Sequence, residues 1–151
     1  MQGNQFNDRK RFFRFALVGI SGTIVDFSIF YLLTRLIGLP KNQSSNISFV
    51  IAVINNFIWN RNWTYPESKL KNFPEQLFKF TIVSVVGLII RNKIFPLIDK
   101  PLIDLSTSLF GQHFFIKPEL TGDIIALGIV ILIVLFWNYF INRLWTYKDI
   151  K

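Results

Sequence analysis

The chain has 151 residues, of which 51% are hydrophobic and 17% aromatic, with a formal net charge of +8 and no cysteine. That length suits one domain, and the lack of cysteine excludes disulfides and thiolate metal sites. The apolar residues gather in four segments, each roughly long enough to cross ~30 Å of hydrocarbon at ~1.5 Å per residue and apolar nearly all round, so the chain reads as an all-α integral membrane protein.

Asp8-Arg9-Lys10-Arg11 is a charged lead-in. It runs into an apolar stretch too long for a signal-peptide core and without a small-residue cleavage site, so the first helix is expected to stay. That helix is expected from Arg14 to Leu36, and Gly38, Pro40 and Asn42 mark a tight turn. A second helix is expected from Ser44 to Trp63, a short polar connection over Pro66 to Pro74, and a third helix from Leu77 to Leu97, ending near Pro96. A longer connection, Asp99 to Thr121, holds Pro101, Pro118 and the aromatics Phe110, Phe114 and Phe115, with a short surface helix expected at 102–110. The fourth helix is expected from Gly122 to Trp145.

Lysine and arginine set the orientation. Arg9, Lys10, Arg11, Arg14, Arg61, Lys69, Lys71, Lys79, Arg143, Lys148 and Lys151 fall at the N-terminus, the middle connection and the C-terminal tail. The opposite side holds fewer, so both termini are expected in the cytoplasm. The surplus of positive charge points to anionic lipid or phosphate; no nucleic-acid motif is visible, and membrane lipids are the expected surroundings.

The second and fourth segments close on the same signature. Asn56 to Tyr65 reads NFIWNRNWTY and Asn138 to Tyr147 reads NYFINRLWTY, sharing N-x-x-x-N-R-x-W-T-Y. Tryptophan and tyrosine settle at headgroup level and arginine reaches for phosphate, so each copy is a helix end at a membrane surface. The first and third segments also echo each other: FRFALVGISG from Phe13 against FKFTIVSVVG from Phe78 pairs Arg14 with Lys79 and Gly22 with Gly87. The chain thus reads as two parallel-repeated helical hairpins in one transmembrane domain, about 12–65 and about 77–147, an arrangement that in transporters places a binding site between repeats.

These residues resemble the GtrA-like family of small four-helix membrane proteins, through RFALVGISGTIVDFSIFYLL from Arg14, the GLP turn at Gly38, and NNFIWNRNWTY with its C-terminal echo. The resemblance covers almost the whole chain. It implies four transmembrane helices in a bacterial inner membrane and a part in cell-surface polysaccharide synthesis. The implied role is a translocator, or flippase, of a polyprenyl-phosphate-linked sugar such as undecaprenyl-phosphate glucose, alongside a separate membrane glycosyltransferase. The connection after the third helix has no counterpart in the resemblance.

Several residues could carry such chemistry. Asp26 and Arg91 each lie twelve residues past their repeat-equivalent lead-ins, Arg14 and Lys79, roughly 18 Å into the membrane by helical rise. A charge at that depth costs on the order of 2.5–3.5 kcal/mol, so each needs a partner or water. Two-fold packing would pair them, structurally or around a substrate phosphate; Lys93 with Asp123 is a second possible pair. Asn56 with Asn60, and Asn138 with Asn142, form amide stripes one helical turn apart. They are either helix-joining groups or the lining of a polar groove, with Arg61 and Arg143 at its mouth either snorkelling or binding a phosphodiester. Gly19, Ser21, Gly22 and Thr23 read as close helix packing, and His113 as an ordinary loop residue.

No nucleophile–base pair, paired carboxylates or phosphate-cradling glycine loop is visible, so no enzyme, cofactor or metal is expected. The leading reading is translocation, with a homodimer or a transferase complex enlarging the enclosed space. The alternative is a non-transporting adaptor that anchors a glycosyltransferase. A cation exporter fits less well, because the buried basic residues oppose a cationic substrate.

Overall fold

Long apolar stretches with no interior turn chemistry leave the backbone to satisfy itself, and the described residues are helical with no strand. The structure, a computed structural model, describes residues 2–110, 118–148 and 150. Helix α1, Gln2–Tyr31, passes into a π-helical turn, Leu32–Leu36. Gly38 then takes a left-handed φ of 79°, which a residue with a Cβ adopts only under strain. Helix α2, Lys41–Trp59, ends in a second π-helical turn, Asn60–Thr64. A 3-10 turn, Pro66–Leu70, leads to α3, Phe73–Phe110. Asn72 caps α3, its Oδ1 accepting the Glu75 N–H at 3.0 Å, and Pro74 sits in the first turn, where a missing donor costs nothing. Helix α4, Pro118–Ile141, closes on another π-helical turn, Asn142–Thr146.

One expectation needs correction. The third helix does not end near Pro96: it runs on through Pro96 and Pro101, and the surface helix expected at 102–110 is its last part. Each proline removes one helical hydrogen bond but leaves its neighbours free to continue, and Leu97, Ile98, Leu102, Ile103 and Leu105 keep apolar residues at helical spacing. Among the described residues, three helices are long and apolar enough to cross a membrane: Asp8–Leu36, Phe73–Leu109 and Ile124–Thr146. Helix α2 is shorter, at 19 residues, and carries Ser44, Ser45, Ser48, Asn55 and Asn56. Its Ser44 and Ser48 are buried, so part of this polarity faces protein. His113, Phe114 and Phe115, and the side chains of Phe110 and Asp123, lie outside the described residues.

The chain forms two compact units, Met1–Ile82 with Ile141–Lys151, and Val83–Phe140. The first is centred on Phe15, Val18, Phe57, Phe80, Tyr65 and Tyr147. Phe57 meets Phe73 edge-on at 5.2 Å and Phe80 at 5.7 Å. The second is centred on Val83, Ala126, Val130 and Tyr139, and the Trp137 indole donates to the Val83 carbonyl at 3.2 Å. Outside these cores large apolar side chains stay exposed. On α1 they form one stripe, Phe13, Leu17, Ile20, Ile24, Phe27 and Tyr31, at alternating spacings of three and four. A stripe of that extent in water would be an aggregation surface; against acyl chains it costs nothing.

The two hairpins bury the same register. Phe15 and Phe80, Val18 and Val83, Phe57 and Tyr139, and Asn60 and Asn142 are repeat equivalents, and all are buried. A Cβ on Gly22 would strike the Asn56 amide at 2.1 Å, and one on the equivalent Gly87 would meet the Asn138 amide at 3.0 Å. Each hairpin therefore seats the deeper asparagine of its signature in a glycine notch on the preceding helix. A third glycine marks a tighter crossing: a Cβ on Gly122 would lie 2.5 Å from the Ile103 Cα. Backbone cannot swing aside, so Gly122→Ala should lower the detergent-solubilised protein's stability by about 1–3 kcal/mol. Gly128 has nothing within 4 Å, and Gly128→Ala should leave the melt unchanged or raise it.

Candidate functional site

The two signature ends converge in the first unit. In each, the Tyr N–H reaches back five residues, Tyr65 to the Asn60 carbonyl at 2.7 Å and Tyr147 to the Asn142 carbonyl at 2.8 Å. Such π-helical turns are uncommon and tend to mark functional places. Their geometry throws both tyrosines inward, where the rings stack at 4.1 Å with 16° between planes. Both are almost fully buried. Burial, and secondarily the neighbouring Tyr65, pushes the Tyr147 hydroxyl far above the usual phenol range against the opposing pull of Arg61, so it stays protonated.

The arginines of the two signatures each grip the chain that follows them. Arg61 is buried; its guanidinium donates to the Gln76 amide oxygen, to the Lys69 carbonyl at 3.0 Å and to the Lys71 carbonyl at 2.8 Å. It also lies 5.3 Å from the centre of the Phe73 ring. Arg143 donates to the Ile150 carbonyl at 2.9 Å and the Tyr147 carbonyl at 3.3 Å, and its Nε lies 3.6 Å from Asp8. Asn60 and Asn142 are fully buried beside them, with the Thr146 hydroxyl donating to Asn142 at 2.7 Å. This set holds the connection, the C-terminal tail and two helix ends together. Asn56 and Asn138 lie one turn deeper, in their glycine notches, and the Asn56 amide oxygen is buried with no hydrogen-bond partner.

The mid-helix charges lie elsewhere. Asp26 is half-buried on α1 in the first unit; Arg91 and Lys93 are exposed on α3 in the second. Within its own unit, none of the three has an ion-pair partner among the described residues. Arg91 opens on a cavity of about 350 Å³ that Asn92, Phe95, Pro96 and Leu127 complete.

A second cavity, of about 160 Å³, lies in the first unit, where the start of α3 meets the π-helical turn after α4 and the C-terminal tail. Its wall carries Lys71, Lys79 and Lys148 with Glu75, Gln76 and Tyr147. Lys79 reaches Glu75 at 2.5 Å. The sequence reading did not single out this lysine group. Its signal was present in the repeat, since Lys79 is the equivalent of Arg14, which donates to the Trp63 carbonyl at 2.9 Å and lies over the Trp63 ring at 5.3 Å.

Comparison with known proteins fits this geometry. A family model, the GtrA/DPMS transmembrane domain, matches residues 14–147, both hairpins included. The chain is 26% identical over 133 residues to a dolichol-phosphate mannosyltransferase of Pyrococcus furiosus, covering 88% of this chain but 32% of that protein. It is also 32% identical over 74 residues to an uncharacterized membrane protein, YngA, of Bacillus subtilis, covering 49% of each. The chain thus spans about a third and about half of these two relatives. With the family model matching from the basic lead-in of the first hairpin to the last tyrosine of the second, the chain belongs to the GtrA/DPMS transmembrane-domain family.

Proposed function

We propose that this protein translocates a polyprenyl-phosphate-linked sugar, such as undecaprenyl-phosphate glucose, across the membrane. Arg91 is the observation that carries this reading: a cation exposed near the middle of a helix long and apolar enough to cross a membrane, opening on a cavity and lacking a counter-ion among the described residues of its own unit. Such a charge is costly in hydrocarbon unless an anion or water meets it, and a headgroup phosphate is such an anion. Lys93 in the same unit is a further cation, Asp26 is a mid-helix charge of the first unit, and within each hairpin taken by itself the amide of Asn56 or Asn138 offers a donor and an acceptor for sugar hydroxyls. Arg61, Arg143, Asn60 and Asn142 hold the signature helix ends in place. All four helices span the bilayer in this reading, α2 included, with both termini in the cytoplasm of a bacterium. The membership of the family, and a relative named for dolichol phosphate, support the lipid class. A membrane glycosyltransferase supplies the lipid-linked sugar, and a homodimer would enlarge the path.

The test is translocation in vesicles of phosphatidylcholine containing the purified protein and a lipid-linked glucose. Arg91→Gln should lower the rate at least tenfold while the melt and the insertion stay as in the parent, on the scale of a lost charged hydrogen bond, about 1.5–3 kcal/mol. An unchanged rate removes Arg91 from the path. A second reading, an adaptor that anchors a glycosyltransferase, draws on the relative being a longer mannosyltransferase, of which this chain matches a third. An adaptor leaves translocation at background in the parent itself.

A further inference from the structure

The larger cavity, in the second unit, is lined mainly by one face of α3. Arg91 with Phe95, and Asn92 with Pro96, are i,i+4 pairs in adjacent rows, and Leu127 of α4 completes the wall. Lys93 lies about 200° round the helix from Arg91 and does not line it. Pro96 sits inside α3 and has no N–H, so the Asn92 carbonyl loses its i+4 donor. Asn92 is itself exposed, near the middle of a span long and apolar enough to cross a membrane. Hydrocarbon offers neither the carbonyl nor the side-chain amide a partner, and a polar group left unmet there is costly. The first hairpin lacks this arrangement: Phe27 and Tyr31 stand at the equivalent positions, and Tyr31 keeps its N–H. The polarity of this face therefore belongs to the second hairpin and is not a product of the repeat.

We infer that this face of α3 reads the sugar of a glycosylated lipid phosphate, and favours that lipid over the same carrier without its sugar. The inference rests on the translocation reading, in which Arg91 meets the phosphate, and adds the groups that meet the sugar. A carbonyl oxygen can only accept, so its partner is a donor such as a sugar hydroxyl. A bare phosphate monoester, whose second proton leaves near pH ~6, offers that carbonyl almost no donor. A sugar phosphodiester carries an anion and hydroxyls side by side. Arg91 and Asn92, adjacent in the chain, answer with a donor fork and an acceptor side by side. The Asn92 side-chain amide can donate to or accept from a second hydroxyl, while Phe95 and Leu127 give the ring an apolar wall. A volume of about 350 Å³ lies at the small end of ligand sites, roughly 300–1,000 Å³, and suits a single headgroup. A carrier that has given up its sugar loses the Asn92 contacts and leaves more readily.

The experiment is equilibrium binding to the whole protein in phosphatidylcholine nanodiscs, with geranylgeranyl phosphate and its glucose phosphodiester as the two probes. The parent should bind the glucosyl lipid more tightly. Pro96→Ala returns an N–H to the Asn92 carbonyl. It should cut that preference by about threefold to tenfold, the scale of one neutral hydrogen bond, and melt at or above the parent temperature. Asn92→Ala should also lower the preference, and both variants should bind bare geranylgeranyl phosphate nearly as the parent does. Pro101→Ala returns a donor to the Leu97 carbonyl, which is outside the cavity lining, and should keep the parent preference. Equal binding of the two probes by the parent overturns the inference. So does a parent-like preference in well-folded Pro96→Ala, whatever Asn92→Ala does, and so does an equal loss in Pro101→Ala, which would trace the effect to straightening of α3. The two readings fail separately. Weaker binding of both probes in Arg91→Gln, with the preference intact in Pro96→Ala, removes the sugar contact alone. Loss of the preference in Pro96→Ala, with translocation at background in the parent, removes translocation and leaves a sugar-lipid site.

Discussion

Arg61→Ala should destabilise the protein by about 2–4 kcal/mol, seen as a lower melting temperature in detergent and easier proteolysis of the 66–72 connection. The guanidinium is buried and donates to three acceptors, the Gln76 amide oxygen and the Lys69 and Lys71 carbonyls. No smaller side chain reaches all three, and the buried Gln76 amide oxygen is then left without its donor, while the two part-buried carbonyls must turn to water. Arg61→Lys should recover little, because an ammonium cannot reproduce the planar fork that serves acceptors on two sides. Arg143→Ala should cost less. Its side chain is 25% exposed, so water can replace part of what it gives the Tyr147 and Ile150 carbonyls. Equal losses for the two arginines would mean that Arg61 is not held as described.

The tyrosine stack should give a loss of similar or larger size. Tyr65→Ala and Tyr147→Ala each remove a buried ring, which in a close-packed interior costs about 3–5 kcal/mol. The rings contact each other directly, so the double variant should lose clearly less than the sum of the single losses. Tyr147→Phe should melt at or above the parent temperature, because the hydroxyl it removes is buried without a partner among the described residues. Strictly additive alanine losses would place the two rings in independent environments.

The repeated signature was legible in the sequence because it is written in side chains: Asn, Arg, Trp, Thr and Tyr recur at one spacing. So was the glycine register, since Gly22 and Gly87 fall at matching places, although the sequence could not say that an asparagine sits on each. The sequence left Arg61 as either a snorkelling cation or a phosphate ligand at the mouth of a groove; the structure spends its guanidinium on two backbone carbonyls and an amide. Carbonyl partners leave no mark in the residue pattern, because every residue carries one. The long α3 was hidden by Pro96 and Pro101, which signal a stop when the neighbours are ignored. The shortfall of α2 was visible in its serines, but a serine facing protein and one facing lipid read alike along the chain. The lysine-lined cavity needed two separate stretches, 71–79 and 145–150, to be brought together, and only the folded chain does that.

In the proposed reading this chain moves a lipid-linked sugar by itself. The decisive assay is purified protein in phosphatidylcholine vesicles, with a fluorescent polyprenyl-phosphate glucose in both leaflets and no glycosyltransferase present. A membrane-impermeant reagent that destroys exposed headgroups should remove about half of the signal from protein-free vesicles and nearly all of it from vesicles that hold the protein, with Arg91→Gln slowing the second half. Removal that stops at the protein-free level with well-folded parent protein contradicts translocation and leaves the chain as an anchor for an enzyme.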